Sequence, residues 1–361
     1  MKLLCTLLAN AVLGLLLQGC GGGNNAPPIK ATPAPDEQWT LSAPAEADMD
    51  GALLEQAAQS LPANHGLASM LVLRHGKPVF ERYWNGYDKD SLHDLRSATK
   101  SITSLMVGIA IDQGMLSGVD ESIATRLNGP YPNTPGLTRG ITLAHLLTMR
   151  SGQACNDFSA SSPGQEDKMY KSTDWVRFFL DLPAGSTPGS ATFYCTGGVV
   201  TLGRIVSEAS KRPIPEFAGQ YLFTPLGIRD ARWASFDSKR QTDTGGHIAM
   251  RPRDMARIGQ LVLQKGQWQG RQLVSSAWIA QATASHTAIN DTPYGYLWWM
   301  REVTYQGRSI KVHYADGNGG QFIFVVPELD LVAVFTGENY NSPKAQQGGQ
   351  ILVTHILPAV R

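Results

Sequence analysis

The sequence predicts an α+β fold in which both chain ends form one antiparallel sheet, flanked by helices and joined to a mostly helical lobe. Three observations carry this expectation. Two β-rich runs near the amino end are separated only by His75-Gly76, three more lie near the carboxyl end, and the helical periodicities crowd the stretch between them. At 361 residues, 42% of them hydrophobic and 17% charged, the chain has ample material for a globular core.

The amino terminus reads as an address rather than as part of that fold. Met1-Lys2 precedes an apolar run from Leu3 to Leu17, interrupted by Thr6 and Asn10, which is short for a membrane span of roughly 20 residues. Gly19 followed by Cys20 resembles the lipobox of bacterial lipoproteins. That resemblance implies cleavage after Gly19, with residues 1–19 a signal peptide and Cys20 a lipidated first residue. It also implies a membrane-anchored protein of the bacterial cell envelope, its folded body in the periplasm or otherwise outside the cytoplasmic membrane. An ordinary signal peptide with an incidental Cys20 is the alternative. Residues 20–47, with Pro27, Pro28, Pro33 and Pro35 and few apolar side chains before Trp39, read as a flexible tether, leaving 48–361 as the folded body.

Within the body, a helix is expected from Met49 to Leu61, then a hairpin of strands Leu67 to Arg74 and Lys77 to Tyr83. Helical patterns follow at Lys100 to Gln113, Leu143 to Met149, Ser172 to Leu180, Gly198 to Ser210, Pro252 to Gln264 and Ser275 to Ala284. Strands are expected around Ser309 to His313, Gln321 to Val326 and Leu331 to Thr336, and a last helix from Gln346 to Leu357.

Several function classes are disfavoured. Lys plus Arg number 31 against 30 acids, which leaves no basic surplus to attract nucleic acid. No two histidines lie closer than His65 and His75, so no metal-binding helix motif is present, and no G-x-G-x-x-G follows a strand. The elbow G-x-S-x-G of the α/β-hydrolases is missing as well. No metal and no organic cofactor is expected.

One short motif carries chemistry. In Arg96-Ser97-Ala98-Thr99-Lys100-Ser101, a buried helix is expected to start at Ser97, which places Lys100 one turn along on the same face. A desolvated amine there has a lowered pKa and can act as the base that a serine hydroxyl needs. The plainer reading makes Ser97 an N-cap and Lys100 a solvated helix residue, which fits poorly with a helix apolar almost all round.

The wider text is recognisable. RSATKSITSLMVGIAIDQG, ITLAHLLTMRSG, PGSATFYCTGG, PLGI, RPRDMARIGQLVL, YGYLWW and DGNGGQFIFVVP occur in that order. Together they resemble the serine β-lactamase-related hydrolases, in the branch holding class C β-lactamases, D-alanyl-D-alanine carboxypeptidases, EstB-type esterases and 6-aminohexanoate-dimer hydrolases. The resemblance implies a β-lactamase/penicillin-binding-protein-like fold, with Ser97 as nucleophile, Lys100 as the lysine that activates it, and Tyr194 as the tyrosine that shuttles a proton to the leaving group.

Two departures stand out. The family's usual Tyr-x-Asn is Tyr194-Cys195-Thr196 here, and its Lys/His-Thr/Ser-Gly is Ala315-Asp316-Gly317 with no cation in first place. A β-lactamase or carboxypeptidase activity is thereby weakened. The backbone of Gly317, Asn318 and Gly319 still offers close approach to a ligand, and an N–H near Asn318 can join that of Ser97 as an oxyanion hole; a simple strand turn is the alternative. Tyr294, Trp298 and Trp299 belong either to the cleft or to the core.

Of the four cysteines, Cys5 leaves with the signal and Cys20 takes lipid. Cys155 and Cys195 remain, either as one disulfide or as two buried thiols. The expected activity is hydrolysis of a small-molecule carboxylic ester or linear amide through an acyl-enzyme. The rivals are a catalytically silent cell-wall-binding lipoprotein and a weak lactamase or carboxypeptidase.

Overall fold

The structure, a computed structural model, describes residues 39–361. The expected signal peptide, Cys20 and the tether up to residue 38 lie outside the described residues.

The central sheet has eight strands: β1 (Leu67–Arg74), β2 (Lys77–Tyr83), β3 (Thr287–Ile289), β4 (Thr292–Tyr294), β5 (Trp299–Tyr305), β6 (Arg308–Gly317), β7 (Gln321–Val326) and β8 (Leu331–Gly337). Their order is β2-β1-β8-β7-β6-β5-β4-β3, and neighbours pair antiparallel throughout. The two chain ends meet at β1 and β8, with Leu71 opposite Val334. Between β1 and β2, His75 and Gly76 both take positive φ, at 52° and 70°. That pair of left-handed residues matches the twist of a two-residue hairpin.

Both faces of the sheet are covered, so β7 is buried along its whole length. Alternate side chains separate the two cores. Leu71, Leu73, Ile323, Val325, Val332 and Val334 face the helical lobe, while Met70, Val72, Phe322, Phe324, Ala333 and Phe335 face the terminal helices. Those terminal helices are α1 (Gly51–Gln59), whose N-cap Asp50 accepts from the amides of Ala52 and Leu53, and the segment from Gln347 to Ile356. In the lobe, α2 (Thr99–Asp112) is buried from Thr99 to Ala110 and forms the central support. Next to it stand α3 (Thr196–Ser210) and, against β7 and β8, α4 (Pro252–Leu263).

The α+β expectation thus holds. The sheet is wider than its sequence signals indicated: β3, β4 and β5 extend it past β6. In β5 half-buried side chains alternate with exposed ones only from Arg301 to Thr304, and β3 and β4 are three residues each, so each leaves a short signal. Residues 39–47, expected as the end of the tether, lie on the body. Trp39 is buried edge-to-face on Trp268 at 6.1 Å, the Arg257 guanidinium sits 5.3 Å from its ring centre, and Ser42 N–H donates to Pro78 O at 2.9 Å. Among the described residues no helix is long and apolar enough to cross a membrane.

Candidate active site

Ser97 sits in a 3₁₀ turn, Arg96–Ala98, that feeds α2, rather than at a capping position. The residue before it, Arg96, is left-handed at φ 48°. A side chain in that conformation costs about 1 kcal/mol. Contacts hold it there: Arg96 N–H donates to Asp94 Oδ1 at 3.0 Å, its guanidinium pairs with Asp94 Oδ2 at 3.2 Å, and it lies 4.8 Å from the ring centre of Tyr340. His247 Nδ1, 2.8 Å from Asp94 Oδ2, fixes the carboxylate from behind.

Lys100 follows one turn later and is 1% exposed, which removes the solvated-helix alternative. Its Nζ lies 3.1 Å from Ser97 Oγ and donates to Gly245 O at 2.7 Å. Burial pulls the amine below the ordinary lysine range, while Glu166, Asp157 and Asp243 pull it back up.

Tyr194 closes the group. It is buried just ahead of the α3 N-cap, its hydroxyl bonds to Ser97, and Lys100 Nζ lies 4.8 Å from its ring centre. Burial pushes the phenol well above its usual pKa, with Glu166, Asp157 and Asp316 adding to the rise. The same dry environment therefore favours a neutral amine and a neutral phenol. A neutral amine can accept a proton and a neutral phenol can donate one, and both touch one hydroxyl.

Cys155 and Cys195 form a disulfide with a Cα–Cα distance of 5.5 Å. It ties the loop after residue 155 to the residue following Tyr194. In the chain-entropy account, closing the 40-residue separation stabilises by about 4 kcal/mol. Cys155→Ala is accordingly expected to lower the unfolding free energy by a matching amount, with a lower denaturant midpoint and a slope that holds or steepens as the unfolded chain loses its crosslink, and an unaltered unfolding free energy would refute the staple.

Thr196, where the family has asparagine, is turned to another task. Its hydroxyl donates to Glu166 Oε2 at 2.9 Å and its N–H to Asp157 Oδ2 at 2.6 Å. Desolvation and the neighbouring Glu166 raise Asp157, and the Lys100 charge opposes them. These acids were not singled out from sequence. Positions 157, 166 and 243 show no common spacing, and only folding gathers them around Lys100.

The other wall is the end of β6. Gly317 packs directly on the nucleophile turn: a Cβ there would lie 2.1 Å from Leu95 O and 3.1 Å from Ala98 N. Asn318 is clasped by its side chain, which donates to Asn341 Oδ1 and accepts from Asn341 N–H, both at 2.9 Å. Gly319 takes φ 98°, and a Cβ would meet the Tyr340 ring at 2.6 Å. Of the three residues that were expected to approach a ligand, Gly317 is held against the Ser97 turn, while Asn318 and Gly319 are fixed on Asn341 and Tyr340. Asp316, next to them, is pushed up to about 7 by burial, against the pull of Arg301.

The aromatic cluster divides. Tyr294 and Trp298 are core, at 1% and 0% exposure. Trp299 is half-buried and stacks on Tyr194 at 5.8 Å.

With this geometry in place, comparison with known proteins is informative. The sequence profile of the family described as Beta-lactamase matches residues 54–352. The chain is 23% identical over 285 residues to the 6-aminohexanoate-dimer hydrolase of Paenarthrobacter ureafaciens, covering 74% of this chain and 71% of that one. It is 26% identical over 219 residues to esterase EstB of Burkholderia gladioli, covering 56% of this chain and 54%, about half, of the esterase. Among solved structures, a penicillin-binding protein homologue from Caulobacter crescentus superposes with a TM-score of 0.66 at 17% identity, over 86% of this chain and 97% of that one. A family profile that spans most of the chain, on a fold that superposes nearly end to end, places the protein in the β-lactamase family of serine hydrolases.

Proposed function

We propose that the protein hydrolyses a small carboxylic ester, or a linear amide, through an acyl-enzyme on Ser97. The observation that carries this is the buried Lys100 amine 3.1 Å from Ser97 Oγ. Neutral Lys100 takes the Ser97 proton as Oγ attacks the carbonyl carbon. The oxyanion is received by the Ser97 and Asn318 backbone N–H groups, a contribution of about 3 kcal/mol per donor. Tyr194 gives its phenolic proton to the leaving oxygen or nitrogen, and the Lys100 ammonium then returns a proton to Tyr194. Water repeats the sequence on the acyl-enzyme: its proton passes to Lys100 and on to the departing Ser97 Oγ.

Esters rank ahead of amides because Thr196 spends its hydroxyl on Glu166 and offers no amide group to a substrate. The names of the relatives, an amide hydrolase and an esterase, agree with either bond. A β-lactam ranks last, since Ala315 stands on β6 where the family carries the cation that receives its carboxylate. The test is a panel of p-nitrophenyl esters, linear amides and β-lactams at matched concentration. Ester turnover is expected in the wild type and a loss of at least about a thousandfold in Ser97→Ala; turnover that survives in the variant rejects the mechanism.

The pH profile has a defined sign. Only neutral Lys100 accepts a proton, so kcat/KM falls as pH drops through its pKa, which burial sets below the ordinary lysine value. Glu166 favours the charged ammonium. Glu166→Gln is therefore expected to move the acid limb to lower pH, and a limb that moves up or stays put contradicts the assignment of Lys100 as base.

A further inference from the structure

We propose that Phe158 forms an apolar subsite at the mouth of the cleft, one that binds an uncharged apolar substituent beside the scissile bond of the substrate. The inference rests on the serine-hydrolase reading above and names the substrate class of that site.

Phe158 is 59% exposed, yet its ring is not loose. It lies parallel to the Tyr194 ring, 5.1 Å away and tilted by 9°. The loop that carries it is fixed at several points. Cys155 is in the disulfide, Asp157 N–H donates to Tyr194 O at 2.8 Å, Phe158 N–H donates to Asn156 Oδ1 at 3.0 Å, and Asn156 N–H donates to Ser162 Oγ at 2.9 Å. One face of the ring is thus spent on the tyrosine that touches Ser97, and the rest faces solvent. An apolar surface held still beside a reacting centre binds apolar groups without an ordering cost, because its conformation is already set.

The local charges decide which apolar groups. Asp157, the residue next to Phe158, lies with one carboxylate oxygen on Thr196 N–H, and Glu166 lies on the Thr196 hydroxyl, so two acids stand on the side that carries the ring. Position 315 on the facing strand, where the family carries a cation, is Ala315. A substituent bearing a carboxylate is repelled, whereas a neutral alkyl or aryl group is accepted.

The substituent can belong to the acyl part or to the alcohol, and two substrate series separate them. In the acyl arm, p-nitrophenyl acetate is compared with p-nitrophenyl hexanoate; in the alcohol arm, ethyl acetate with hexyl acetate. Each protein is scored by its own long-to-short ratio of kcat/KM, so a general loss of activity cancels. The wild type is expected to prefer the longer member in at least one arm. Phe158→Ala should lower that ratio about tenfold, since each methylene covered by the ring adds to binding, and Phe158→Leu should keep most of it. The arm in which the ratio falls identifies which side of the ester the ring holds. Ratios that are the same in the wild type and Phe158→Ala in both arms overturn the subsite while leaving the hydrolase reading intact. A wild type that turns over no ester removes the hydrolase reading, and the subsite falls with it.

Discussion

Lys100→Met is expected to lower kcat/KM for a short ester by about a thousandfold to ten thousandfold, the usual range for losing a positioned general base. The side chain is 1% exposed and its Nζ bonds to Ser97 Oγ and Gly245 O, so a methionine of similar length fills the space. The thermal midpoint is the control for folding, since a buried amine gives way to an apolar group while Asp157, Glu166 and Asp243 lose their neighbouring cation. Lys100→Arg should not rescue activity. A guanidinium stays protonated at any working pH and cannot take the Ser97 proton. Steady-state kinetics with a melting curve on each variant separate chemistry from folding, and a methionine variant that keeps a tenth of its activity would contradict the role.

The second large effect is expected at Gly317. An added Cβ would lie 2.1 Å from Leu95 O and 3.1 Å from Ala98 N, both main-chain atoms of the nucleophile turn. No rotamer can relieve such a contact. β6 must move off the turn, which separates the two proposed oxyanion donors, so Gly317→Ala should lose about a hundredfold to a thousandfold in kcat. It should also lose about 1–3 kcal/mol of stability from overpacking. Gly219→Ala is the matched control. A Cβ there has nothing within 4 Å and the residue is in a right-handed helical conformation, so its activity should be unchanged. Chemical denaturation and kcat measured together on both variants check the pair, and equal behaviour of the two would refute close packing at Gly317.

Much of this was legible before the structure. The hairpin β1–β2 and strands β7 and β8 follow from short β-rich runs bounded by turn residues, because those local signals agree with the burial that the fold imposes. Ser97 and Lys100 share one helical turn, a short-range fact that a spacing rule captures. Counting thiols narrowed Cys155 and Cys195 to one disulfide or two buried thiols, and the structure pairs them. What was not legible is long-range. Asp157, Glu166 and Asp243 come from three separate segments, and only packing brings their fields to bear on Lys100. The reason Thr196 stands in place of an asparagine is of the same kind: its hydrogen bonds reach 30 and 39 positions away in sequence. Trp298 and Trp299 are adjacent at the entry to β5, yet one lies in the core and the other beside Tyr194.

Every proposed step depends on one reactive hydroxyl. The direct measurement is to treat the folded protein with a fluorophosphonate, digest it and locate the phosphonyl group by tandem mass spectrometry. Covalent mass on Ser97 alone, absent from Lys100→Met on the same timescale, is the predicted result. A peptide containing Ser97 that stays unmodified while ester turnover continues would contradict it.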